Sequence, residues 1–236
     1  MSAPHTIVTG GASGIGAATV EKLRGRGHAV TIFDLTPSAD PDSEAVDVTD
    51  EDAVSAAFDR AAARRGPVTG LAMSHGIRGA YVPALEMDIA RIARLYEIHV
   101  IGALVVARQM VRRLDGRPGS VVLVSSTTAY GGWANQTDYG TAKAAERQLM
   151  ANLAIEWAPL GVRVNAIAPG HTRTPMVQDL IDKEGYDVSD VERRAPLGRL
   201  AEPAEQAEAI AWLLSDATFV TGQCLPVDGG WTAAGK

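Results

Sequence analysis

The chain has little of what marks secreted, membrane-bound or nucleic-acid-binding proteins. One cysteine in 236 residues cannot form an internal disulfide, which excludes a disulfide scaffold and fits a reducing compartment. Charge of neither sign dominates. The 22 Lys and Arg against 28 Asp and Glu leave a formal net charge of −6, which gives no overall attraction to nucleic acid. Long apolar runs are missing: the stretch Val100–Ala107 is broken by Gly102 and falls far short of the roughly 20 residues that span a bilayer. Met1–Thr6 has no basic segment leading into an apolar one, so no signal peptide and a cytoplasmic location are expected. Lysine is scarce as well, confined to Lys22, Lys143, Lys183 and Lys236. What the chain does have is apolar residues, 46% of the total against 21% charged, which argues against disorder. Its length suits one domain, residues 1–236, with a sizeable core.

Short β-branched runs alternate with longer helical stretches. The runs predict strands at Thr6–Thr9, Ala29–Asp34, Glu44–Val48, Val68–Ser74, Ser120–Ser125, Val162–Ala168 and Cys224–Val227. Helices are predicted at Gly14–Arg26, Asp50–Arg65, Asp88–Arg113, Asn135–Ala158 and Pro203–Ser215. Thr49 is placed to cap the second helix, whose first turn carries Asp50, Glu51 and Asp52. Gly161 follows the fourth helix, where a left-handed cap favours a residue without Cβ. Continuous apolar strands such as Val121–Val124 imply burial on both faces, hence a parallel sheet. The expectation is an α/β, doubly wound Rossmann-like sheet of about seven strands flanked by helices in a single domain. The polar segment Thr36–Ser43 is too short for the usual helical crossover, so no helix is expected between the second and third strands.

The first strand runs into Gly10-Gly11-Ala12-Ser13-Gly14-Ile15-Gly16 and a helix follows at once. Glycines allow a tight turn and close approach to a pyrophosphate, and the helix N-terminus supplies amides and positive partial charge. A glycine-rich turn alone is also an ordinary strand–helix connection; its place after the first strand favours the cofactor reading. Asp34 ends the second strand, where a carboxylate accepts hydrogen bonds from ribose hydroxyls and repels a 2′-phosphate, so NAD is expected over NADP. An ordinary loop aspartate is the other reading. Asp47 and Val48 end the third strand, within reach of an adenine.

Tyr139 and Lys143 stand four apart on one helix face, and Ser126 lies just past a strand's carboxyl end, where ligands of parallel sheets bind. With so few tyrosines and lysines, a chance Tyr-x-x-x-Lys is expected only roughly 0.08 times by helical-pair placement. Oxidising an alcohol to a ketone requires a base at the hydroxyl as hydride leaves the carbon. Free tyrosine titrates near about 10, and a neighbouring ammonium favours its phenolate. Ser126 would hydrogen-bond the reacting oxygen.

These residues, with Thr9–Gly16, Tyr139-Gly140-Thr141-Ala142-Lys143, Asn165–Gly170 and Val227-Asp228-Gly229-Gly230, resemble the short-chain dehydrogenase/reductase family along nearly the whole chain. The resemblance implies NAD-linked interconversion of an alcohol and a ketone, with Ser126, Tyr139 and Lys143 catalytic. It implies that Gly10, Ser13, Gly14, Ile15, Gly16, Ser74, Gly76, Pro169, Gly170, Thr172 and Thr174 join Tyr139 and Lys143 in holding the cofactor. A homo-oligomer, tetramer or dimer, is implied too. The chain departs from the family in three places. Met73-Ser74-His75-Gly76 stands where Asn-Asn-Ala-Gly is usual. His99 aligns with a helical asparagine, and is read either as a titrating group in the proton relay or as a packed histidine bonded to backbone. The helix after Asp34 is missing.

Tyr130 and Trp133 are expected to touch substrate, and residues 171–197 to form a mobile lid. His75, His99 and His171 lack metal-ligand spacing, so no metal is expected. Cys224 is expected in the core, and Arg108, Arg112 and Arg113 at a helix end favoured by its dipole. The substrate expected is a small alcohol or ketone, with a cyclic alcohol or dihydrodiol suggested by the resemblance. The alternatives are a 3-oxoacyl thioester reductase and a non-enzymatic NAD-binding module that senses redox state.

Overall fold

The computed structural model describes residues 3–184 and 187–234. Seven strands form one sheet: β1 (His5–Thr9), β2 (Ala29–Asp34), β3 (Ser43–Ala45), β4 (Val68–Met73), β5 (Gly119–Val124), β6 (Val162–Pro169) and β7 (Cys224–Val227). Their order is β3-β2-β1-β4-β5-β6-β7 and every neighbouring pair is parallel. The chain moves outward from β1 in one direction, then restarts beside β1 with β4. That reversal opens a crevice at the carboxyl ends of β1 and β4.

Side-chain alternation divides the core between the sheet's two faces. Val121 and Leu123 of β5 join Ile7, Phe33 and Leu71 on one face, while Val122 joins Val8, Ile32 and Ala72 on the other. The first face is covered by α2 (Glu51–Arg65), α4 (Ala103–Val111) and α5 (Thr137–Trp157), which supply Phe58, Met110 and Met150. The second is covered by α1 (Gly14–Gly25) and α8 (Pro203–Ser215), through Leu23, Ile210 and Leu214. Both faces being buried explains why the strands read as continuous apolar runs.

Several local expectations are corrected. Thr49 does not cap α2; Asp50 does, accepting from the Ala53 amide at 2.9 Å. Thr49 instead donates through its amide and hydroxyl to Asp47, a compact Asx turn that outcompetes capping. The third strand ends at Ala45 rather than Val48, although Val46 and Val48 stay buried. The predicted helix Asp88–Arg113 is divided into α3 (Ile89–Tyr96), a π-helical turn (Glu97–Gly102) and α4. Periodicity could not reveal this, because an extra residue in one turn shifts the apolar face without interrupting it. Arg108, Arg112 and Arg113 bind the acidic side of α2, at Glu51 and Asp59, in addition to sitting near a helix end. Between β2 and β3 no helix occurs among the described residues. Gly161 does adopt the left-handed conformation, at φ 74°. The segment 171–197, expected as a lid, carries among its described residues two short helices, α6 (Pro175–Glu184) and α7 (Ser189–Arg194).

The sheet's first face depends on an edge-to-face pair, Phe33 against Phe58, with ring centroids 5.6 Å apart. Both side chains are fully buried. Phe58→Ala is expected to lower unfolding free energy by about 3–5 kcal/mol, measured by chemical denaturation. A loss below about 1 kcal/mol would mean that the site collapses around the missing ring.

Candidate active site

A cleft of about 760 Å³ lies across the carboxyl ends of β1, β4, β5 and β6. Its first wall is the glycine loop. Gly10, Ser13, Gly14 and Ile15 line it. Gly16 does not; its lack of a side chain serves packing, since a Cβ there would stand 2.0 Å from the Gly10 carbonyl oxygen. The N-terminus of α1 is left bare. Ser13 occupies the cap position without making a side-chain capping bond, and the first turn holds no acidic residue among the described residues. The contrast with α2 is instructive, because that helix start carries its own cap and two carboxylates. An anion therefore suits α1 and is repelled from α2.

Asp34 is held at the cleft by two backbone amides, Ala12 and Thr36, each 3.1 Å from one carboxylate oxygen. Asp47 and Val48 line the same end. The amide and hydroxyl of Thr49 hold the Asp47 carboxyl below its ordinary range, so it is ionised there. Arg94, also at this end, is paired with Glu97 and reaches within 4.0 Å of Asp47.

The middle of the cleft carries two buried imidazoles. His75 takes a 2.6 Å contact from Thr9 Oγ1 at Nδ1, while Nε2 is buried without a partner among the described residues. His99 projects from the π turn, and its Nε2 lies 2.9 Å from the Ile77 carbonyl oxygen, which requires Nε2 to carry the hydrogen. The ring fills the space where Gly76 lacks a side chain; a Cβ on Gly76 would come within 2.3 Å of it. Burial and the nearby Lys143 ammonium lower the pKa of His75 to about 4 and that of His99 to about 2. Of the two readings of position 99, the contacts favour the packed histidine: a neutral ring bonded to backbone and set edge-on to Tyr139 at 5.7 Å.

Ser126, Tyr139 and Lys143 meet at the far side. Ser126 follows β5 and accepts the Thr128 amide at 3.2 Å, which fixes its Oγ and leaves its own hydrogen for another acceptor. Tyr139 is the third residue of α5, after exposed Thr137 and buried Asp138, and Asp138 clamps this turn. The Asp138 carboxylate is fully buried and accepts the amides of Ala80 and Tyr139, both at 2.7 Å. One helical turn on, Lys143 donates from Nζ to the Val124 carbonyl at 2.8 Å and to Glu146 Oε2 at 2.8 Å. Its ammonium lies 5.7 Å from the centre of the Tyr139 ring. Burial by itself would lower the Lys143 pKa, but the attraction of Glu146 and Tyr139 outweighs it and leaves the group more basic than usual.

Ser74, Gly76, Pro169, Gly170, Thr172 and Thr174 line the cleft as well. Of the two residues expected at substrate, Trp133 lines it and Tyr130 does not. Tyr130 turns to the edge of the sheet, donating to the Cys224 carbonyl at 2.6 Å under the Arg147 guanidinium. Burial, and after it the neighbouring Cys224 side chain, push its pKa up to about 12. Trp133, His171 and Trp231 form a mutual cluster, with ring centroids 5.1–5.7 Å apart. The same cleft is lined by Met176, Val177 and Leu180 of α6. Sequence reasoning missed α6, Asp138 and Glu146. Helical arithmetic could have found Glu146, which stands seven after Tyr139 and three after Lys143 on the same face.

Known proteins match this chain along its length. The family model described as enoyl-(acyl carrier protein) reductase matches residues 10–232. Cis-4-hydroxycyclohexanecarboxylate dehydrogenase of Sinomonas cyclohexanicum is 43% identical, over 96% of this chain and 96% of that one. The 2,5-dichloro-2,5-cyclohexadiene-1,4-diol dehydrogenase of Sphingobium indicum is 35% identical, over 99% and 98%. The crystal structure of levodione reductase superposes with a TM-score of 0.90 at 30% identity, covering 99% of both chains.

The buried imidazoles give stability a pH dependence of known sign. A histidine whose folded pKa lies below its unfolded value of about 6.5 contributes stability above that pH and loses it as pH falls. His75 and His99 are therefore expected to make the unfolding midpoint fall steadily between about pH 6.5 and pH 4, by roughly 1.4 kcal/mol per pH unit for each ring. Scanning calorimetry on His99→Asn should show a shallower fall; an unchanged slope would mean that His99 is protonated in the folded protein.

Proposed function

The chain belongs to the short-chain dehydrogenase/reductase family and is an oxidoreductase acting on CH–OH groups, and from that premise we propose that it uses NAD to interconvert a cyclic secondary alcohol and its ketone. The observation that carries this reading is the convergence of Ser126, Tyr139 and Lys143 on one cleft whose other end is the bare N-terminus of α1. The residues present fit a dinucleotide: uncapped amides for a pyrophosphate, and the tethered Asp34 carboxylate for two ribose hydroxyls. Bound at this cleft, the nicotinamide supplies the hydride-accepting or hydride-donating carbon.

The chain's own residues handle the proton and the orientation. In oxidation Tyr139, as phenolate, takes the hydroxyl proton; in reduction the phenol returns it to the carbonyl oxygen. Ser126 donates to the same oxygen, its Oγ held by the Thr128 amide so that the donor is already aimed. Lys143 favours the phenolate and offers a remaining N–H to the cofactor's ribose. His99 contributes shape and a fixed dipole beside Tyr139. Helices α6 and α7 cover the site as a lid.

A ring-shaped substrate is supported by two features. Trp133 and His171 line the cleft together with the aliphatic Met176, Val177 and Leu180 of α6, and Trp231 backs the two rings, which suits a flat or puckered ring. The names of the similar dehydrogenases also carry cyclohexane and cyclohexadiene rings. The description of the matched family model favours a second reading, an acyl thioester as substrate.

NADH formation should be followed across cyclic secondary alcohols and diols, beside reduction of 3-oxoacyl thioesters. Turnover of cyclic alcohols is expected to dominate, with Tyr139→Phe lowering kcat/KM by about 10²–10⁴ and NAD binding retained. Binding of NAD without turnover of any alcohol would favour a redox-sensing module, and an unaffected Tyr139→Phe would remove the phenol from the mechanism. For the cofactor, NAD is expected to bind more tightly than NADP, and Asp34→Ala to narrow that gap by about tenfold or more, about 1.4 kcal/mol in titration calorimetry. Equal affinities in the unaltered protein would overturn the ribose argument.

A further inference from the structure

One buried ion pair is left over once Ser126, Tyr139 and Lys143 have been given roles. Glu146 is 2% exposed, does not line the cleft that Lys143 lines, and shares the buried face of α5 with Ala142, Met150 and Leu153. Tyr139, Lys143 and Glu146 fall at spacings of four and three, so one stripe of α5 carries all three against β5 and β6. A carboxylate in such surroundings is costly unless paired, and its partner here is the Lys143 ammonium at 2.8 Å. Stability alone does not call for it, because apolar side chains of similar volume replace buried ion pairs without loss in many proteins.

We propose that Glu146 is a positioning residue for the reaction: it clamps the Lys143 ammonium from behind and compensates its charge. This rests on the alcohol–ketone reading of the cleft. An ammonium has three N–H donors. The Val124 carbonyl and Glu146 occupy two of them, so a single N–H is directed to the cleft. The charge balance matters as much. A lone buried ammonium would lose its proton readily. Paired with Glu146, the ammonium keeps its proton to high pH while its pull on the phenol is moderated. The carboxylate thus offsets the ammonium's field at the phenol oxygen, and removing its charge favours the phenolate.

The titratable groups facing this pair come from every neighbouring element. They are Tyr139 on α5, His75 after β4, His99 on the π turn and Cys224 at the start of β7, beyond which lies Arg147. Burial holds both imidazoles neutral and pushes up the Cys224 thiol and the Glu146 carboxyl, while the Lys143 ammonium at 2.8 Å works against that shift to keep Glu146 charged.

The test uses the scarcity of lysine. With four lysines in the chain, the Lys143 side-chain ¹³Cε resonance is assigned by its disappearance in Lys143→Arg, and its titration is read directly in the resting protein. In the unaltered protein it should titrate above the ordinary lysine value of about 10.4; titration below that value would overturn the proposal whatever any variant does. Glu146→Gln keeps a hydrogen-bond acceptor and removes the charge. Lys143 should then titrate at least one pH unit lower, and the acid limb of kcat/KM for alcohol oxidation should move to lower pH. Glu146→Asp, which keeps the charge, should stay closer to the unaltered protein in both measurements. If Glu146→Gln folds yet leaves both the resonance and the profile in place, or if Asp shifts them as far as Gln does, charge compensation by Glu146 is wrong. Because the resonance is measured without turnover, it decides this point even if no alcohol proves to be a substrate.

Discussion

The end of β5 and the buried face of α5 are joined by polar bonds, and the cleft depends on that seam. Lys143 donates through its side chain to the Val124 carbonyl, and its own backbone carbonyl accepts from Ser125 Oγ at 3.1 Å. A helix packed on a strand by apolar contact alone could slide by a fraction of a turn at little cost, since such contacts are non-directional. Two hydrogen bonds of fixed length, both buried, remove that freedom. They hold Tyr139, one turn earlier, against Ser126, two residues beyond the same strand end. At the start of the helix, Asp138 does the same for the neighbouring loop, binding the Ala80 amide and the first-turn amide of Tyr139. The site is therefore rigid on the sheet side and built from backbone-anchored side chains.

The opposite side of the cleft is set by an exchange of volume. Gly76 yields the space of a side chain and His99 fills it from across the gap, with a bond to the Ile77 carbonyl that locks the ring. The π-helical turn from Glu97 to Gly102 carries that histidine. Extra residues in helical turns are concentrated where a helix must present a group in an unusual direction, and this one presents an imidazole to the edge of the Tyr139 ring. A charged imidazole in that place would meet a buried ammonium nearby. Neutrality of His75 and His99 is thus a condition for keeping Lys143 protonated, and it shows in the low pKa values of both rings.

How much could be read beforehand follows from the range of the forces involved. Parallel strands, the bare glycine loop, Asp34 and the Tyr139–Lys143 spacing are local or periodic features, and all were legible. Gly161 was legible because a left-handed cap is a one-residue requirement. The misjudged features need neighbours distant in sequence. Tyr130 was expected at substrate because it stands between Ser126 and Tyr139, but a carbonyl 94 residues away, on β7, captured its hydroxyl. Thr49 lost the cap to Asp50 because Asp47 offered its amide and hydroxyl a tighter partner. Helix α6 escaped notice since its apolar residues face a cleft, and a cleft-facing stripe is shorter than one facing a core.

By itself the sequence determined the α/β class, the family and the chemical character of the cleft, because these rest on residue type at short spacing. Only the tertiary structure decided which side chains share that chemistry. It turned Tyr130 out, kept Trp133 in, neutralised His99 and set Glu146 behind Lys143. The physical reason is that burial and Coulomb interaction act through space between elements far apart in the chain, and in a desolvated site they determine which groups hold charge. A chain with four lysines places one of them where its charge is both enclosed and balanced.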